Sequence, residues 1–434
     1  MNVLVVGGGG REHALVWRLA RDPSVAEVMA APGNPGIARE ARCLPVAAED
    51  LPGLVALVAR EDVDLTVVGP EVPLVLGLVD ALEARGHLAF GPSAAAARLE
   101  GSKAFAKDVM HRAGVPTARS ATFTRADWDA DPRDVLSFLD DELEGGPAVV
   151  KADGLAAGKG VVVADGRDDA AAAIESCLGG GAFGEAGSSV VIEERLEGPE
   201  VSAFALADGH DVVPLGFAQD FKRVSDGDAG PNTGGMGAYS PLPFVDDALA
   251  ETIRDEVLER TVRQMADDGV PYRGVLYAGL MLTPEGPQVL EFNCRFGDPE
   301  TQVLMPRLRS EPAERFSAAA RGDLGSAAVD LRPEACITVV LASGGYPGEH
   351  RTGFEISGLE AAAEVDGALV FHAGTSERQG RVVTAGGRVL SVSALGGSLA
   401  EARDRAYEAC SCIAFEGMQH RSDIAAAAAG EERR

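Results

Sequence analysis

The chain has 434 residues, 46% of them hydrophobic, which is enough for two to four domains with cores of their own. Its formal net charge of -28 argues against nucleic-acid binding, because phosphate backbones are bound by positively charged surfaces. The sequence has no apolar run of about 18 residues and no secretory signal at its N-terminus. We therefore expect a cytoplasmic protein with no nucleic-acid or membrane partner.

Residues 1–93 alternate short apolar runs, each ending in a Gly or Pro loop, with helical stretches. This pattern predicts β-α-β units and an N-terminal domain built on a parallel sheet. The loops that follow the strands should converge at one edge of that sheet. They are Gly8 to Arg11, Pro32 to Asn34, Gly69 to Glu71 and Gly91 to Ser93. An anionic small molecule would suit the backbone amides of the helix that starts near Arg11.

A dinucleotide-binding domain is the alternative for this region. Counting from Gly7, the third glycine position of the G-x-G-x-x-G fingerprint holds Glu12, and the second strand ends at Pro32 without the acid that binds a ribose hydroxyl. A nicotinamide or flavin oxidoreductase is therefore disfavoured. Glycines that merely permit a tight turn explain Gly7, but they do not explain the whole run with Arg11 and His13.

From residue 101 onward, strands with Gly turns predict antiparallel sheets, with helices over 246–268 and 301–322. This α+β region is too long for one layer, so we expect a lobe over about 120–190 that acts as a mobile lid. A third pattern after Pro333, with a helix over 398–412, predicts a small β-rich C-terminal α+β domain. The predicted boundaries of this α/β and α+β multidomain chain are 1–100, 101–328, 329–425 and a frayed tail over 426–434.

A strand, a glycine-bearing loop and a second strand span residues 149–160, with Lys151 and Lys159 on either side of the loop. Loop amides can close over phosphates while the lysines neutralise charge. The spacing differs from a Walker A loop, which needs one more residue and a hydroxyl where Gly160 stands. A flexible hairpin tip is the alternative.

A glycine-dense segment, 230–240, follows the charged stretch Gln219 to Arg223. Such a loop has few side chains and many amides, which suits close approach to an anion. A disordered linker is the alternative.

Strand alternation over 289–295 places Glu291, Asn293 and Arg295 on one face. A carboxylate and an amide oxygen two residues apart can share one magnesium ion. Arg295 would then face the anion. A solvated sheet face is the usual alternative, but more carboxylates follow at the end of the strand.

Only five lysines are present in the chain: Lys103, Lys107, Lys151, Lys159 and Lys222. Four of them lie in the glycine-rich or aspartate-containing motifs, while arginine is the basic residue elsewhere. Because a compact ammonium group suits phosphate, this placement indicates phosphate binding, with chance as the alternative.

Taken in order, these motifs resemble the phosphoribosylamine–glycine ligase family, and the likeness extends to about residue 424. The segments that carry it are 7–15, 32–36, 68–71, 91–93, 99–105, 151–160, 182–184, 191–194, 219–223, 231–241, 276–281, 291–301, 344–348, 371–375 and 386–392. The resemblance implies an ATP-grasp core after the Rossmann-like domain. It also implies a purine-biosynthesis ligase that joins glycine to 5-phosphoribosylamine with ATP, through a glycyl phosphate, and uses Mg²⁺ or Mn²⁺.

The resemblance also implies roles for individual residues. ATP would be bound by Lys103, Lys151, the hinge Glu193, Glu194, Arg195 and Leu196, then Glu200, Lys222, Arg223 and Asn232. The metal would be held by Glu291 and Asn293. Catalysis would involve Arg295, Asp220, Lys159 and Gly235, the last through the amides of 234–237. Phosphoribosylamine would be bound by Gly9, Gly10, Arg11, Asn34 and Glu71.

Four departures from the family pattern are present. The strand before the predicted metal strand, 277–281, lacks the carboxylate that many ATP-grasp enzymes carry there, Phe221 and Arg195 replace common residues, and 425–429 differs from the usual ending.

Another ATP-grasp enzyme of purine synthesis, of the carboxylase or formyltransferase type, is the nearest rival. A non-catalytic nucleotide sensor would not explain the Glu291, Asn293 and Arg295 face. We expect a monomer or weak homo-oligomer.

The acidity and the rarity of lysine are typical of proteins from a high-salt cytoplasm, so we expect halophile-like stabilisation by salt. Because salt screens the repulsion between carboxylates, molar KCl should raise the melting temperature by several degrees over that at low ionic strength. Differential scanning calorimetry over a KCl series measures this. A melting temperature that does not rise between low and molar KCl contradicts the expectation.

Overall fold

The N-terminal apolar runs form a five-stranded parallel sheet with strand order β3-β2-β1-β4-β5. The computed structural model describes residues 1–154, 160–180, 184–325 and 328–432. The strands are β1 (Asn2–Gly7), β2 (Glu27–Pro32), β3 (Arg42–Cys43), β4 (Leu65–Val68) and β5 (Ala89–Phe90). The helices are α1 (Gly10–Leu19), α2 (Leu51–Arg60), α3 (Glu71–Val75), α4 (Leu78–Glu83) and α5 (Ala94–Gly101). Val3 to Val6 are fully buried, as expected when helices cover both faces of a parallel sheet, and the predicted β-α-β arrangement is confirmed.

A sharp break separates α5 from the next helix, α6 (Lys103–Ala113). Ser102 is the N-cap of α6, and its hydroxyl accepts a hydrogen bond from Phe105 N at 3.1 Å. This cap satisfies a free amide of the first turn and sets Lys103 at the start of the helix.

A small antiparallel sheet with strand order β6-β9-β7-β8 follows. Its strands are β6 (Ser120–Thr124), β7 (Ala148–Ala152), β8 (Val161–Ala164) and β9 (Ser189–Glu194). Its helices are α7 (Arg125–Ala130), α8 (Pro132–Asp141) and α9 (Arg167–Ile174). The sheet and helices enclose a separate core that includes Val135, Val150 and Ile192. The sheet includes residues up to Glu194, so it extends four residues beyond the predicted lobe.

The remaining strands form one eight-stranded sheet, ordered β16-β15-β10-β11-β14-β17-β21-β18, and two short ribbons, β12-β13 and β19-β20. The first strands are β10 (Glu200–Asp208), β11 (Val212–Asp220), β12 (Arg223–Ser225), β13 (Ala229–Asn232), β14 (Gly237–Ser240), β15 (Arg273–Thr283) and β16 (Gly286–Asn293). The last are β17 (Ala335–Ala342), β18 (Ala368–His372), β19 (Thr375–Arg378), β20 (Arg381–Thr384) and β21 (Arg388–Gly396). The helices are α10 (Asp247–Ile253), α11 (Arg260–Asp267), α12 (Thr301–Arg307), α13 (Pro312–Arg321), α14 (Leu359–Ala363), α15 (Leu399–Cys412) and α16 (Ala426–Glu432).

The strands of the predicted C-terminal region continue the large sheet. β14 pairs antiparallel with β17, from Gly237 opposite Val339 to Ser240 opposite Cys336. The C-terminal region is therefore joined to the centre of the molecule by backbone hydrogen bonds.

The prediction of a frayed tail is wrong for the described residues up to 432, because α16 packs against α15. Ala429 is 4% exposed, and a Glu432 carboxylate oxygen accepts a hydrogen bond from Ala400 N at 3.3 Å. Small alanine side chains let the two helices approach closely. Within the part of the chain that the structure describes, no helix has both the length and the apolarity needed to span a membrane.

Arg18 ties the parallel sheet to the larger unit. Its buried guanidinium donates to Leu308 O at 2.9 Å, Arg309 O at 3.1 Å and Ser310 O at 2.9 Å. These carbonyls follow the C-terminal end of α12, where helix carbonyls lack partners within the helix.

Replacing Arg18 by Met should lower the free energy of unfolding by about 3 kcal/mol, because one buried and two partly buried hydrogen bonds to carbonyls are lost. Urea unfolding followed by circular dichroism measures the change. Arg21→Met is the matched control. Arg21 lies just after α1, the helix that carries Arg18, is exposed, and pairs with Glu40 at 3.0 Å. Equal stability of the two variants would contradict the docking role of Arg18.

Candidate active site

A cavity of about 620 Å³ lies where the parallel sheet, the small sheet and the large sheet meet. Ten residues singled out from the sequence line it: Arg11, Glu71, Lys103, Lys151, Glu193, Asp220, Lys222, Glu291, Asn293 and Arg295. Each lies at or near the end of a strand or the start of a helix, where the backbone turns toward the cavity. The tertiary structure therefore brings together motifs that are nearly 300 residues apart in the chain.

Lys103 is positioned by a contact between two motifs. Its ammonium group donates to Gly154 O at 2.9 Å. The Asp153 carboxylate accepts from Ala104 N and from the Ser102 hydroxyl, both at 3.2 Å, so it lies at the positive end of α6. The glycine-bearing loop after β7 is thereby fixed to the start of that helix.

Two lysines share one buried carboxylate. Lys151 Nζ lies 2.9 Å from one Glu193 oxygen, Lys107 Nζ lies 3.3 Å from the other, and Glu193 is 2% exposed. Lys151 also donates to Leu290 O at 2.8 Å, and Lys107 to the Thr117 hydroxyl at 2.8 Å. Burial, partly offset by Glu193, lowers the pKa of Lys107 to about 8.

Lys107 was missed because it lies in none of the motifs. Its only signal in the sequence is the rarity of lysine. The Glu193 side chain binds these two lysines, and the ATP contact predicted for the 193–196 hinge stays a prediction.

Lys222 lies beside two acids. Its ammonium group is 2.6 Å from a Glu200 oxygen and 3.3 Å from an Asp220 oxygen. Burial raises the pKa of Asp220 to about 7; Lys222 opposes this shift, while Glu300 and Glu200 add to it. A carboxyl group with that pKa can exchange a proton near neutral pH.

Glu291 and Asn293 both line the cavity, and neither side chain has a hydrogen bond or ion pair with any described residue. Desolvation opposes ionisation of Glu291, but Lys222, Lys151 and Lys103 outweigh it and hold its pKa below the ordinary value. Gly279, on the neighbouring strand, lies opposite Glu291, and a Cβ there would be 3.4 Å from Glu291 Cγ. β15, which lacks the carboxylate that many ATP-grasp enzymes carry there, thus has a glycine opposite Glu291 and leaves room for the Glu291 side chain.

The predicted metal ligands fit a phosphate-bound divalent cation. Among residues 1–154, 160–180, 184–325 and 328–432, no group of three or more His, Cys, Asp or Glu side chains could hold a metal ion. One carboxylate and one amide oxygen, neither with a partner in the described part of the chain, match a magnesium ion that takes its other ligands from phosphate and water.

The alternation predicted along this strand is interrupted at Leu290, because the register shifts between the pairs Gly279–Glu291 and Leu280–Val289, while pairing from Glu291 to Asn293 is regular. Leu290 is left unpaired by that bulge, and both Leu290 and Phe292 line the cavity together with Glu291 and Asn293.

Arg295 has acidic partners in this structure. Its guanidinium lies 3.3 Å from Glu71 and 3.2 Å from Glu100, and it donates to Phe296 O at 3.3 Å. Arg11 donates to Phe296 O at 3.1 Å and pairs with Glu12 at 2.6 Å. Because both guanidinium groups donate to Phe296 O, they hold the parallel sheet against the segment that follows β16, the strand of the predicted metal ligands. Glu71 is an ion-pair partner of both arginines.

Glu12 takes the place expected for an anion at the start of α1. One of its oxygens accepts from Gly9 N at 2.6 Å and the other from Arg11 Nε at 2.6 Å. The residue that breaks the dinucleotide fingerprint thus neutralises this helix terminus. The predicted anion site at Gly9 is already occupied by a protein carboxylate.

Two more residues predicted to bind phosphoribosylamine pack inside the protein. Asn34 donates to Gly8 O and His372 O at 2.9 Å, and its side-chain oxygen accepts from Gly36 N and Ile37 N at 2.9 Å. A Cβ at Gly10 would lie 2.6 Å from Gln302 Nε2. Neither residue lines the cavity, because these contacts hold α1 and its neighbouring loop against the C-terminal region.

The glycine-dense loop uses its amides internally. Gly234 N donates to the Tyr346 hydroxyl at 3.0 Å, Gly235 N to the Thr233 hydroxyl at 3.0 Å and Met236 N to Phe221 O at 2.8 Å. These amides are therefore not available to an acyl phosphate, contrary to the prediction for Gly235. Gly235 has φ of +106°, and a Cβ there would lie 2.4 Å from Pro299 Cδ, so only glycine fits.

Other predicted residues lie outside the main cavity. Glu200, Arg223 and Asn232 line a neighbouring cavity of about 640 Å³, which shares Asp220 and Lys222 with the first. Glu194 pairs with Arg119 at 3.0 Å and Arg195 with Asp165 at 2.8 Å, and with Leu196 they line neither cavity. Lys159 lies outside the described residues.

Several cavity residues lie in motifs that were recognised without a role being assigned to them. They are Glu100, Asp298, Glu300, Tyr346 and Arg388. The hydroxyl of Tyr277, a residue of β15, donates a hydrogen bond to the Glu300 carboxylate at 2.7 Å. Sequence proximity to the predicted ligands is the signal that could have found Asp298 and Glu300.

Three family models match the chain. The phosphoribosylglycinamide synthetase N domain matches residues 1–100, its ATP-grasp (A) domain 101–301 and its C domain 336–427. The phosphoribosylamine–glycine ligase of Vibrio vulnificus is 52% identical over 427 residues, which are 98% of this chain and 97% of the relative.

Solved structures agree with these matches. The crystal structure of phosphoribosylamine–glycine ligase from Thermotoga maritima has a TM-score of 0.84 at 36% identity and covers 98% of this chain and 100% of its own. The biotin carboxylase domain of Hydrogenobacter thermophilus 2-oxoglutarate carboxylase, solved with MgADP and bicarbonate, has a TM-score of 0.72 at 17% identity, covering 96% and 91%. The latter likeness is one of fold.

The rarity of lysine makes the shared carboxylate testable by NMR with lysine labelled at Cε. We expect Lys107 to titrate near pH 8 and Glu193→Gln to move its midpoint lower, because the nearest anion is lost. Burial of the charged form costs stability below about pH 8, so the stability contribution of Lys107 should rise as pH increases from 8 toward its unfolded pKa. Glu197→Gln, at an exposed position nearby, should leave the midpoint unchanged. An unshifted Lys107 in Glu193→Gln contradicts the coupling.

Proposed function

The chain belongs to the phosphoribosylamine–glycine ligase family, and we propose that its cleft joins glycine to 5-phosphoribosylamine with ATP as the energy source. The products are glycinamide ribonucleotide, ADP and phosphate, and the reaction is a step of purine biosynthesis. The observation that carries the proposal is one cavity with a lysine-rich end and an arginine-rich end. Lysines surround Glu291 at one end, and arginines surround Asp298 at the other.

The lysine end suits ATP. A carboxylate is a poor acyl donor, so a glycine oxygen attacks the γ-phosphorus, the bond to the β-phosphate oxygen breaks and ADP leaves. The ammonium groups of Lys103, Lys151 and Lys222 balance charge on the triphosphate and on the departing ADP. Glu193 and Leu290 O hold the Lys151 ammonium group in place for this role.

Glu291 and Asn293 would hold Mg²⁺ or Mn²⁺ at the same end. When bound, such a cation neutralises phosphate charge and orients the triphosphate. Gly279 leaves room for Glu291 beside the neighbouring strand, and the surrounding lysines keep its carboxylate ionised.

The arginine end suits phosphoribosylamine. Its amine attacks the carbonyl carbon of glycyl phosphate, the carbon–oxygen bond to phosphate breaks, and the nitrogen loses a proton. Arg11 and Arg295 supply positive charge there, with Glu71 holding both guanidinium groups. The proton leaves to water; Asp220, whose burial raises its pKa to about 7, lies at the lysine end, 3.3 Å from Lys222.

A carboxylase or formyltransferase is not favoured, because the 52% identity to a phosphoribosylamine–glycine ligase spans nearly the whole chain. The internal cap made by Glu12 also disfavours a dinucleotide-dependent oxidoreductase. A cytoplasmic location and a monomeric or weakly associating state stay predictions, as do the individual ATP contacts of the 193–196 hinge, Glu200, Arg223 and Asn232.

When no other acceptor amine is present, we expect sustained ADP release to require both glycine and 5-phosphoribosylamine, and Glu291→Gln should reduce it about 100-fold or more because a charged metal ligand is lost. A coupled ADP assay measures turnover, and calorimetric titration of Mn²⁺ in the presence of ADP measures metal affinity separately.

Glu285→Gln, at the exposed tip of the same hairpin, is the matched control and should behave as the unmodified enzyme. ADP release with bicarbonate or formate in place of glycine would reject the ligase. Unchanged metal affinity in Glu291→Gln would reject only the metal site.

A further inference from the structure

Arg388, at the start of β21, extends from the C-terminal region into the active-site cavity. Its Nη1 donates to Gly234 O, to Asp298 O at 2.7 Å and to Gly235 O at 3.4 Å. Its Nη2 lies 3.4 Å from a carboxylate oxygen of Asp298. One guanidinium thus joins two loops that are more than 60 residues apart in the chain.

Neither loop can move away from Arg388 without a loss of contacts. A Cβ on Gly234 would lie 2.9 Å from the Arg388 Cζ, and a Cβ on Gly235 would lie 2.4 Å from Pro299 Cδ. Tyr346, also from the C-terminal region, accepts a hydrogen bond from Gly234 N at 3.0 Å. The glycine loop is therefore packed flat between Arg388 and the Asp298–Pro299 segment.

This cluster lies at the arginine end of the cavity. The cations that lower the pKa of Asp298 against the effect of burial are Arg388, Arg11 and Arg295. The Asp298 carboxylate also accepts from Gln302 at 2.7 Å, and that amide packs on Gly10 at the start of α1. Lys103, Lys151 and Lys222, which lower the pKa of Glu291, are not among the groups that shift the pKa of Asp298.

We propose that Arg388 is a positioning residue for the second half-reaction, the attack of phosphoribosylamine on the glycyl phosphate. It fixes the Asp298 carboxylate and the Gly234–Gly235 turn at the acceptor end and takes no part in ATP binding. This inference rests on the function proposed above. It also gives the C-terminal region a specific task in the reaction.

The two half-reactions can be measured separately. Hydroxylamine attacks the carbonyl carbon of glycyl phosphate, a carbon–nitrogen bond forms, phosphate leaves, and glycine hydroxamate reports the first step without phosphoribosylamine. In Arg388→Met we expect kcat/KM for phosphoribosylamine to fall about 10- to 100-fold, because a small misplacement of reacting groups is costly. The KM for ATP and the hydroxamate rate should stay within about twofold of the unmodified enzyme.

Arg388→Lys should recover part of the loss, since an ammonium group keeps the charge beside Asp298 but has no second nitrogen to contact the Asp298 carboxylate. Arg381→Met is the matched control, because Arg381 pairs with Glu355 at 2.6 Å on the surface of the same region. Arg381→Met should leave both half-reactions unchanged. If Arg388→Met does not fold, the same comparison in Arg388→Lys and Tyr346→Phe decides the question.

A parallel loss of hydroxamate formation and of the full reaction, a raised KM for ATP, or unchanged kinetics with phosphoribosylamine would each overturn the role of Arg388. Absence of glycine hydroxamate from the unmodified enzyme would instead contradict the proposed function.

Discussion

The buried carboxylate of Glu193, shared by the ammonium groups of Lys107 and Lys151, is the contact on which the nucleotide end of the cleft depends. Two ammonium groups so close would repel each other without an anion between them. Glu193 supplies one negative charge for two positive ones, so positive charge remains for a ligand. In a chain with a net charge of -28, that local excess marks where a polyanion belongs.

At the opposite end of the cleft, the positive charges already have partners within the protein. Arg295, Arg11 and Arg388 are each matched by protein carboxylates or carbonyls. Guanidinium groups suit this task because their planar forks bind several acceptors at once. The arginines therefore act first as structural links, and the geometry of Asp298 and Glu71 follows from them.

The continuity of the eight-stranded sheet explains how the C-terminal region contributes to the cleft. Because β14 pairs with β17, a short step along the sheet leads from the glycine-dense loop to the C-terminal strands that carry Arg388. Tyr346 and Arg388 then reach the loop from the same side. A region with no motif for ATP is thus bound rigidly to the site where the acceptor is proposed to react.

The sequence by itself determined the parallel N-terminal sheet, the antiparallel strands and the membership of Lys103, Lys151, Lys222 and Glu291 in one site. The sheets follow from local periodicity, and the membership of these four residues in one site follows from the motifs that resemble the phosphoribosylamine–glycine ligase family. The tertiary structure alone decided how charges pair, because partners such as Glu71 and Arg295 are 224 residues apart. Pairing over such distances leaves no local pattern, so the internal use of Asn34 and of the loop amides, and the role of Lys107, became visible only once the chain was folded.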